Sequence, residues 1–151
     1  MARHKAREQT LQMLFQWDLR RTSAEPMLVD EVERGYYGSL LVPDEATKKQ
    51  EPDPFAQKLL RGVIEGVVGI DELITRYAAN WRIERMPAVD RNVLRLCVYE
   101  LLHGETPAPV AIDEALELTR RFAGEESVQF VNGVLDAVRR ALPVKTTPTA
   151  G

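Results

Sequence analysis

The residues of this 151-residue chain that are capable of chemistry are few and scattered. The two histidines, His4 and His103, lie far apart, and the single cysteine, Cys97, falls in an apolar run that favours burial as a small hydrophobic side chain. No His, Cys and Asp residues have the spacing of a zinc site, and the sequence contains no phosphate-binding loop or nucleophile-elbow motif. We therefore predict a protein that has no catalytic activity and needs no cofactor or metal.

Paired carboxylates also occur, at Asp113-Glu114 and at Glu125-Glu126. Both pairs stand near the predicted starts of helices, where the helix dipole stabilises negative charge. Their placement is therefore explained without general acid–base catalysis.

A cluster of cations near the N-terminus is the strongest ligand-binding signal in the chain. It consists of Arg3, His4, Lys5 and Arg7. Cations on the first turns of a helix can span adjacent phosphates, and arginine can also stack on an unpaired base. By composition alone, a solvated helix end is the more common explanation of a basic run this short.

The charge of the chain is unevenly distributed. The net charge is −3, but residues 1–21 carry five cations against two acids, a local +3, whereas residues 22–54 carry eight acids against three cations, a local −5. Phosphate binding depends on a local patch rather than on the sum. The acidic total therefore does not exclude a nucleic-acid partner.

Phe130 gives a second ligand-binding signal. It lies beside the apolar stripe that includes Val131 and Val134, which makes it a rim aromatic on which a base can stack. A phenylalanine at the edge of the core is the more common outcome.

Helices are expected to hold these residues, because apolar side chains recur with helical spacing along most of the chain. The spacing predicts helices at 3–20, 25–37, 54–69 and 70–80, a most apolar fifth that starts at Pro87, and two more that join at Gly124. Asp53 is expected to cap the third helix, with a proline in its first turn. No segment alternates with period two, so we predict an all-α fold of about seven helices.

These helices are expected to form a single domain over residues 1–142. Prolines and charges without an apolar period predict a flexible loop at 38–53, and residues 143–151 are predicted to be a disordered tail. Neither an apolar run of the roughly 18 residues that a membrane span needs nor a secretory signal is present, so we predict a cytoplasmic protein without membrane association. Three glycines are expected to mark close contacts between helices: Gly62, Gly66 and Gly69.

Several short motifs follow one another along the chain. They are Ala6-Arg7-Glu8, Phe15-Gln16-Trp17, Val89-Asp90-Arg91, Leu94-Arg95, Tyr99-Glu100-Leu101, Ala111-Ile112-Asp113-Glu114-Ala115 and Phe130-Val131-Asn132-Gly133-Val134-Leu135. Together with the basic N-terminus, this series resembles the NusB family of transcription antitermination factors. The resemblance covers the chain outside the 38–53 loop and the tail.

The resemblance implies a fold of two perpendicular helical bundles and a function without catalysis. It implies binding of the boxA element of nascent RNA jointly with the small-subunit ribosomal protein NusE. The assembly belongs to an RNA polymerase antitermination complex that acts notably on ribosomal RNA operons. Self-association of some members makes a homodimer a further expectation.

The resemblance also implies two sets of site residues. The RNA-binding residues are Arg3, His4, Lys5, Arg7, Glu126, Ser127 and Phe130. The residues at the interface with the partner protein are Phe15, Glu84 and Asp90. Taken without the resemblance, the second set is also explained as a core-edge aromatic, an exposed acid and a helix N-cap. The family's N-terminal run is richer in arginine, so His4 and Lys5 make this patch weaker.

Substitution of the cationic cluster is expected to act on RNA binding alone. Lys5→Ala combined with Arg7→Ala should weaken RNA binding and its dependence on salt while leaving the helicity unchanged.

Two other functions fit the same residues. A related helical domain precedes the catalytic domain of some ribosomal RNA cytosine methyltransferases, and binding of a methyl donor would indicate a function of that kind. A helical scaffold that dimerises through an apolar face is the other alternative, and a dimer indifferent to RNA would indicate it.

Overall fold

Helices form the regular structure of the chain in the computed structural model, which describes residues 2–21, 31–33, 53–79 and 81–143. The α-helices are α1 (Ala2–Arg20), α2 (Pro54–Glu65), α3 (Val67–Tyr77), α4 (Ala88–His103), α5 (Ala108–Phe122) and α6 (Glu125–Ala141). A 3-10 turn, Ile83–Arg85, lies between α3 and α4, and residues 31–33 are also helical. These ranges contain no strand, so the predicted all-α class of about seven helices is confirmed.

Three sequence-based predictions fall largely on other residues. Most of the 25–37 helix, residues 38–52 of the predicted loop and residues 144–151 of the predicted tail lie outside the described ranges. Within those ranges, no helix combines the length and the apolar character needed to cross a membrane.

The start of α2 is set by a local hydrogen bond. The Asp53 carboxylate accepts from the backbone N–H groups of Phe55 and Ala56, at 2.8 and 3.3 Å, and Pro54 occupies the first turn. Such a cap satisfies N–H groups that have no partner within the helix. The predicted N-cap is therefore confirmed.

The boundary between α2 and α3 lies at Gly66 rather than at the predicted Gly69. Gly66 ends α2 with φ −98° and ψ 11°, and α3 begins at the next residue. The buried side chains of Val63, Val67 and Ile70 continue the helical spacing across this break. Periodicity alone therefore could not locate it.

The last two helices join at Gly124, as predicted. Gly124 has φ +113° and ψ 176°, and it precedes the first residue of α6. Only glycine adopts this region of backbone conformation readily, since it has no Cβ. The direction in which α6 leaves α5 therefore depends on this residue.

The helix α4 is central, as its apolar composition predicted. Ten of its residues are buried, among them Leu94 and the free cysteine Cys97. α4 packs against α1 and α2, which pack on each other, and also against α3, α5 and α6. The helices thus form two groups that share α4, in agreement with the predicted two-bundle architecture.

A glycine at position 62 allows the Tyr99 ring of α4 to lie directly against α2. A Cβ placed on Gly62 would lie 2.3 Å from the ring of Tyr99. The predicted role in helix contact therefore holds for Gly62. It is wrong for Gly69, which has no other atom within 4 Å of an added Cβ, because that face of α3 is exposed.

A buried ion pair attaches α1 to α4. The Arg7 guanidinium donates from Nε to both carboxylate oxygens of Glu100, at 3.0 and 3.2 Å, and from Nη2 to Glu100 Oε1 at 2.8 Å and Thr106 Oγ1 at 3.1 Å. Arg7 is 4% exposed and Glu100 is 2% exposed. Burial alone would lower the pKa of Arg7, but the hydrogen bonds and charge of Glu100 outweigh burial and raise it. Arg7 is therefore an internal residue, which corrects the prediction that it faces RNA.

A second ionic network joins α1, α3 and α4. Arg95 donates to Asp71 at 2.8 and 3.0 Å and pairs with Asp18 at 3.1 Å, and Asp18 also accepts from Arg91. Burial opposes the ionisation of Asp18. The hydrogen bonds and charges of Arg91 and Arg95 outweigh this effect and hold the pKa of Asp18 below its usual value. The network therefore stabilises the ionised carboxylate.

We expect Gly62→Ala to lower the free energy of unfolding by about 1–3 kcal/mol, because the added methyl group would displace the Tyr99 ring. Gly69→Ala is the matched control, and it should be neutral or stabilise the protein by roughly 0.5–1 kcal/mol. Urea unfolding of the two variants measures the difference. Equal free energies of unfolding would contradict the close approach of α2 and α4 at Gly62.

We expect Arg7→Ala to lower the free energy of unfolding by about 3–5 kcal/mol, because it leaves the Glu100 carboxylate buried without its partner. Lys5→Ala, at an exposed position two residues away, should change it by no more than about 0.5 kcal/mol. Thermal unfolding followed by circular dichroism compares the two. Similar melting temperatures would show that the Arg7–Glu100 pair does not stabilise α1.

Candidate nucleic-acid interface

The predicted N-terminal cluster is divided by the fold. Arg3 and Lys5 are exposed, whereas Arg7 points into the protein. The Arg3 guanidinium lies 4.7 Å from the centre of the Phe55 ring, in cation–π contact that orients the side chain while leaving it open to solvent. Two of the four predicted cations therefore remain on the surface as candidates for contact with phosphate.

The other predicted cation, His4, helps to place α1 along α5. His4 Nδ1 lies 2.6 Å from Glu114 Oε2, and one turn later Arg121 Nη1 donates to Glu8 Oε2 at 2.8 Å. These two pairs connect successive turns of α1 to the middle and the end of α5. The exposed cations of α1 are thereby attached to the helix that leads through Gly124 into α6.

The start of α6 forms one wall of a cavity of about 320 Å³. Its lining residues, named here the aromatic pocket, are Trp81, Pro87, Asp90, Glu126, Ser127 and Phe130. The structure therefore brings together the three predicted RNA-binding residues of α6. The rings of Trp81 and Phe130 meet edge to face, with their centres 5.8 Å apart and their planes at 62°.

Asp90 lies in the aromatic pocket and not beside Glu84. The residue is 3% exposed, and its Oδ1 atom is buried without a hydrogen-bond partner among the described residues. Burial raises the pKa of Asp90 above its usual value, although a hydrogen bond from Ser127 acts in the opposite direction. Asp90 is also not the N-cap of α4, since Pro87 holds that position. Only a group that enters the pocket can reach Asp90.

The other two residues predicted at the partner interface are exposed. Phe15 is 37% exposed on α1, and Leu19, four residues later on the same helix, is 63% exposed. Glu84 is exposed and lines a separate cavity of about 410 Å³ together with Arg91 and other members of the ionic network. Phe15, Leu19 and Glu84 are thus exposed, whereas Asp90 lines the aromatic pocket. The assignment of Phe15, Glu84 and Asp90 to a partner interface stays a prediction.

Trp81 is a site residue that sequence reasoning misses. Its spacing of four from Tyr77 predicts a place in the apolar stripe of the fourth helix. That helix ends at Tyr77, and Ala79 takes a positive φ of 31°, so the chain turns before Trp81. The indole is therefore 52% exposed. A large aromatic side chain that is exposed to solvent indicates a binding surface, but the exposure of Trp81 becomes evident only from the turn that precedes it.

Metal ligation has no obvious location in the described residues. Among them, no three side chains of the His, Cys, Asp or Glu type are grouped so that they could hold a metal ion. The ligand-binding chemistry that they offer is aromatic stacking, a buried acceptor and exposed cations.

The chain has close relatives among curated proteins. It is 53% identical over 149 residues to "Transcription antitermination protein NusB" of Solibacter usitatus, covering 99% of this chain and 96% of that protein. It is 44% identical to the protein of the same name from Koribacter versatilis, covering 93% of this chain and 90% of that protein.

Solved structures and a family model agree with these relatives. A structure of T. maritima NusB has a TM-score of 0.74 and 37% identity, covering 91% of this chain and 90% of that one. A structure of antitermination factors NusB and NusE in complex with dsRNA has a TM-score of 0.74 and 28% identity, covering 94% of this chain and all of that one. The model of the NusB family matches residues 4–140. Since the match extends over nearly the whole chain in sequence and in fold, the protein belongs to the NusB family of transcription antitermination proteins.

Proposed function

We propose that this protein is a non-catalytic antitermination factor of the cytoplasm that binds single-stranded boxA RNA of nascent transcripts jointly with the ribosomal protein NusE. One observation carries the proposal. The fold matches a protein whose solved complex contains NusE and dsRNA, and this chain offers both an aromatic pocket and exposed cations for RNA. Residues 1–142 form the RNA-binding domain in this proposal, and the target transcripts are notably those of ribosomal RNA operons.

The RNA surface in this proposal has two parts. Arg3 and Lys5 bind phosphates at the start of α1, and Phe130 with Trp81 stacks on unpaired bases at the start of α6. Single-stranded RNA is bound in this way, by splayed bases on aromatic rings and by cations along the backbone. Arg7 is excluded from this surface by its internal pairing, and His4 contributes by placing α1 on α5.

The partner surface in this proposal consists of Phe15, Leu19 and Glu84. An apolar pair on α1 supplies contact area, and the carboxylate of Glu84 suits a basic ribosomal protein. Exposed aromatic and aliphatic side chains are common at the centre of protein interfaces, with charges at the rim.

Joint binding follows from the small number of exposed cations in the N-terminal cluster. Arg3 and Lys5 alone give few phosphate contacts, so in this proposal the protein without its partner binds RNA weakly. A basic partner bound beside it adds phosphate contacts, and the shared RNA makes the second binding event intramolecular. In this proposal the complex formed with NusE then acts within the RNA polymerase antitermination complex.

We expect the affinity for boxA-like RNA to exceed that for a scrambled RNA and to rise further when NusE is present. Arg3→Ala combined with Lys5→Ala should weaken binding of both RNAs and reduce the slope of log K against log salt by about 0.7 for each phosphate that the protein no longer binds. Fluorescence anisotropy at several salt concentrations measures both quantities. Arg140→Ala, an exposed cation at the far end of α6, is the matched control and should leave the slope unchanged.

Sedimentation of the same mixtures tests the competing scaffold. A complex of protein, NusE and RNA is the expected species. A homodimer that forms equally with and without RNA, together with a salt slope unaffected by the double substitution, would contradict the proposed function.

A further inference from the structure

The two parts of the proposed RNA surface are separated by the end of α5. Arg121, in the last turn of that helix, donates from Nη1 to Glu8 Oε2 of α1 at 2.8 Å. Its neighbour Arg120 donates from Nε to Glu125 Oε1, in the first turn of α6, at 2.9 Å. The shortest path for an RNA strand from the start of α1 to the start of α6 therefore crosses the end of α5.

The two arginines at this point are held differently. Arg120 is held from both sides, because Glu117 accepts from its Nη1 and Glu125 accepts from its Nε, each at 2.9 Å. Among the described residues, the carboxylate that pairs with Arg121 is that of Glu8, and the Arg121 side chain is 58% exposed. An ion pair with so exposed a member is weak, since water competes for the charges. Arg121 is thus the cation that can exchange its partner at little cost.

An exposed aromatic ring lies beside Arg121. The guanidinium carbon of Arg121 lies 5.3 Å from the centre of the Phe122 ring, and Phe122 is 39% exposed. This cation–π contact orients the guanidinium and leaves its N–H groups available for hydrogen bonds. Proteins that bind single-stranded nucleic acid combine cations for the phosphates with aromatic faces for the bases. The end of α5 offers both groups at one point.

Burial determines which ion pair of α1 can release its arginine. The Arg7 and Glu100 side chains are 4% and 2% exposed, so their separation would leave a charge buried without a partner. The Arg121 and Glu8 side chains are 58% and 20% exposed, so both charges can regain water when they separate. A phosphate that approaches Arg121 therefore replaces one anion with another and leaves no buried charge behind.

We propose that Arg121 binds a phosphate of the RNA and that Glu8 is an internal competitor, which holds the guanidinium until the phosphate displaces it. The inference rests on the proposed RNA-binding function and deepens it. In the free protein, the Glu8 carboxylate occupies the place of the phosphate. In the complex, Arg121 continues the line of cations from Arg3 and Lys5 towards α6. Glu8 lowers the apparent affinity for RNA, because the binding-competent form is the one in which the pair is broken.

Opposite effects of the two partners test this proposal. Glu8→Gln keeps the size of the side chain and removes its charge. It should tighten binding of a boxA-like RNA about two- to fivefold, the equivalent of an exposed ion pair, with the largest gain at low salt. Arg121→Ala should weaken binding and reduce the slope of log K against log salt by about 0.7, the contribution of one phosphate on a single strand. Fluorescence anisotropy at several salt concentrations measures both quantities.

A matched control removes an acid of α5 other than the partner of Arg121. Asp113→Asn, at an exposed position two turns before Arg121, should leave the affinity nearly unchanged. A double variant assigns the gain to the ion pair. Glu8→Gln in the Arg121→Ala protein should tighten binding less than it does in the wild type, because no guanidinium remains to be released. Circular dichroism should show that the melting temperature of each variant changes little.

Three outcomes would overturn the proposal. Weaker binding in both Glu8→Gln and Arg121→Ala would show that the pair places α1 and does not compete with RNA. Equal gains from Glu8→Gln and Asp113→Asn would show a general effect of charge. Unchanged binding in both Glu8→Gln and Arg121→Ala would show that the RNA does not reach the end of α5. Each of these outcomes leaves the proposed function intact, whereas a wild-type protein that binds no RNA would remove both proposals.

Discussion

The placement of α1 depends on the buried pair between Arg7 and Glu100. Two charges taken out of water are tolerated only when each is paired and hydrogen-bonded, and here Nε and Nη2 of the arginine occupy both oxygens of the carboxylate, with Thr106 as a further acceptor. The pair fixes α1 in rotation as well as in position, because a bidentate contact tolerates little tilt. Lys5 owes its exposure to this constraint, since it lies two residues before Arg7 and therefore on the opposite face of α1. Arg3 lies one turn before Arg7 on the same face, and its guanidinium is over the Phe55 ring at the exposed start of the helix.

A feature fixed by neighbours in the sequence could be predicted, and one fixed by distant residues could not. The Asp53 cap, the joint at Gly124 and the central position of α4 each follow from a few adjacent residues or from a local apolar period. Sequence reasoning places Arg7 on the surface because its partner lies 93 residues away, on a helix whose packing partner cannot be inferred from spacing. It places Trp81 in the core because the period of four continues past the true end of α3.

The aromatic pocket combines residues that the sequence assigns to two different interfaces. Asp90 joins Phe130 because the start of α4 lies beside the start of α6, a contact between segments almost 40 positions apart. Its ionised carboxylate does not stabilise the fold. Because burial raises the pKa of Asp90, ionising this carboxyl costs folding free energy. That cost is present above the folded-state pKa and disappears as the pH falls through it. A side chain whose ionised form lowers the stability of the folded protein is typical of a binding site rather than of a core.

The backbone conformation of Gly124 determines the geometry of the aromatic pocket. No atom lies within 4 Å of a side chain added at this position, so crowding does not restrict it. The restriction comes from φ +113° with ψ 176°, a combination closed to L-amino acids but favourable for their mirror images. A D-alanine introduced at position 124 by chemical synthesis would fit where the L-enantiomer is strained. The angle between α5 and α6, and with it the approach of Phe130 to Trp81, thus depends on a backbone conformation that glycine adopts without strain because it has no Cβ.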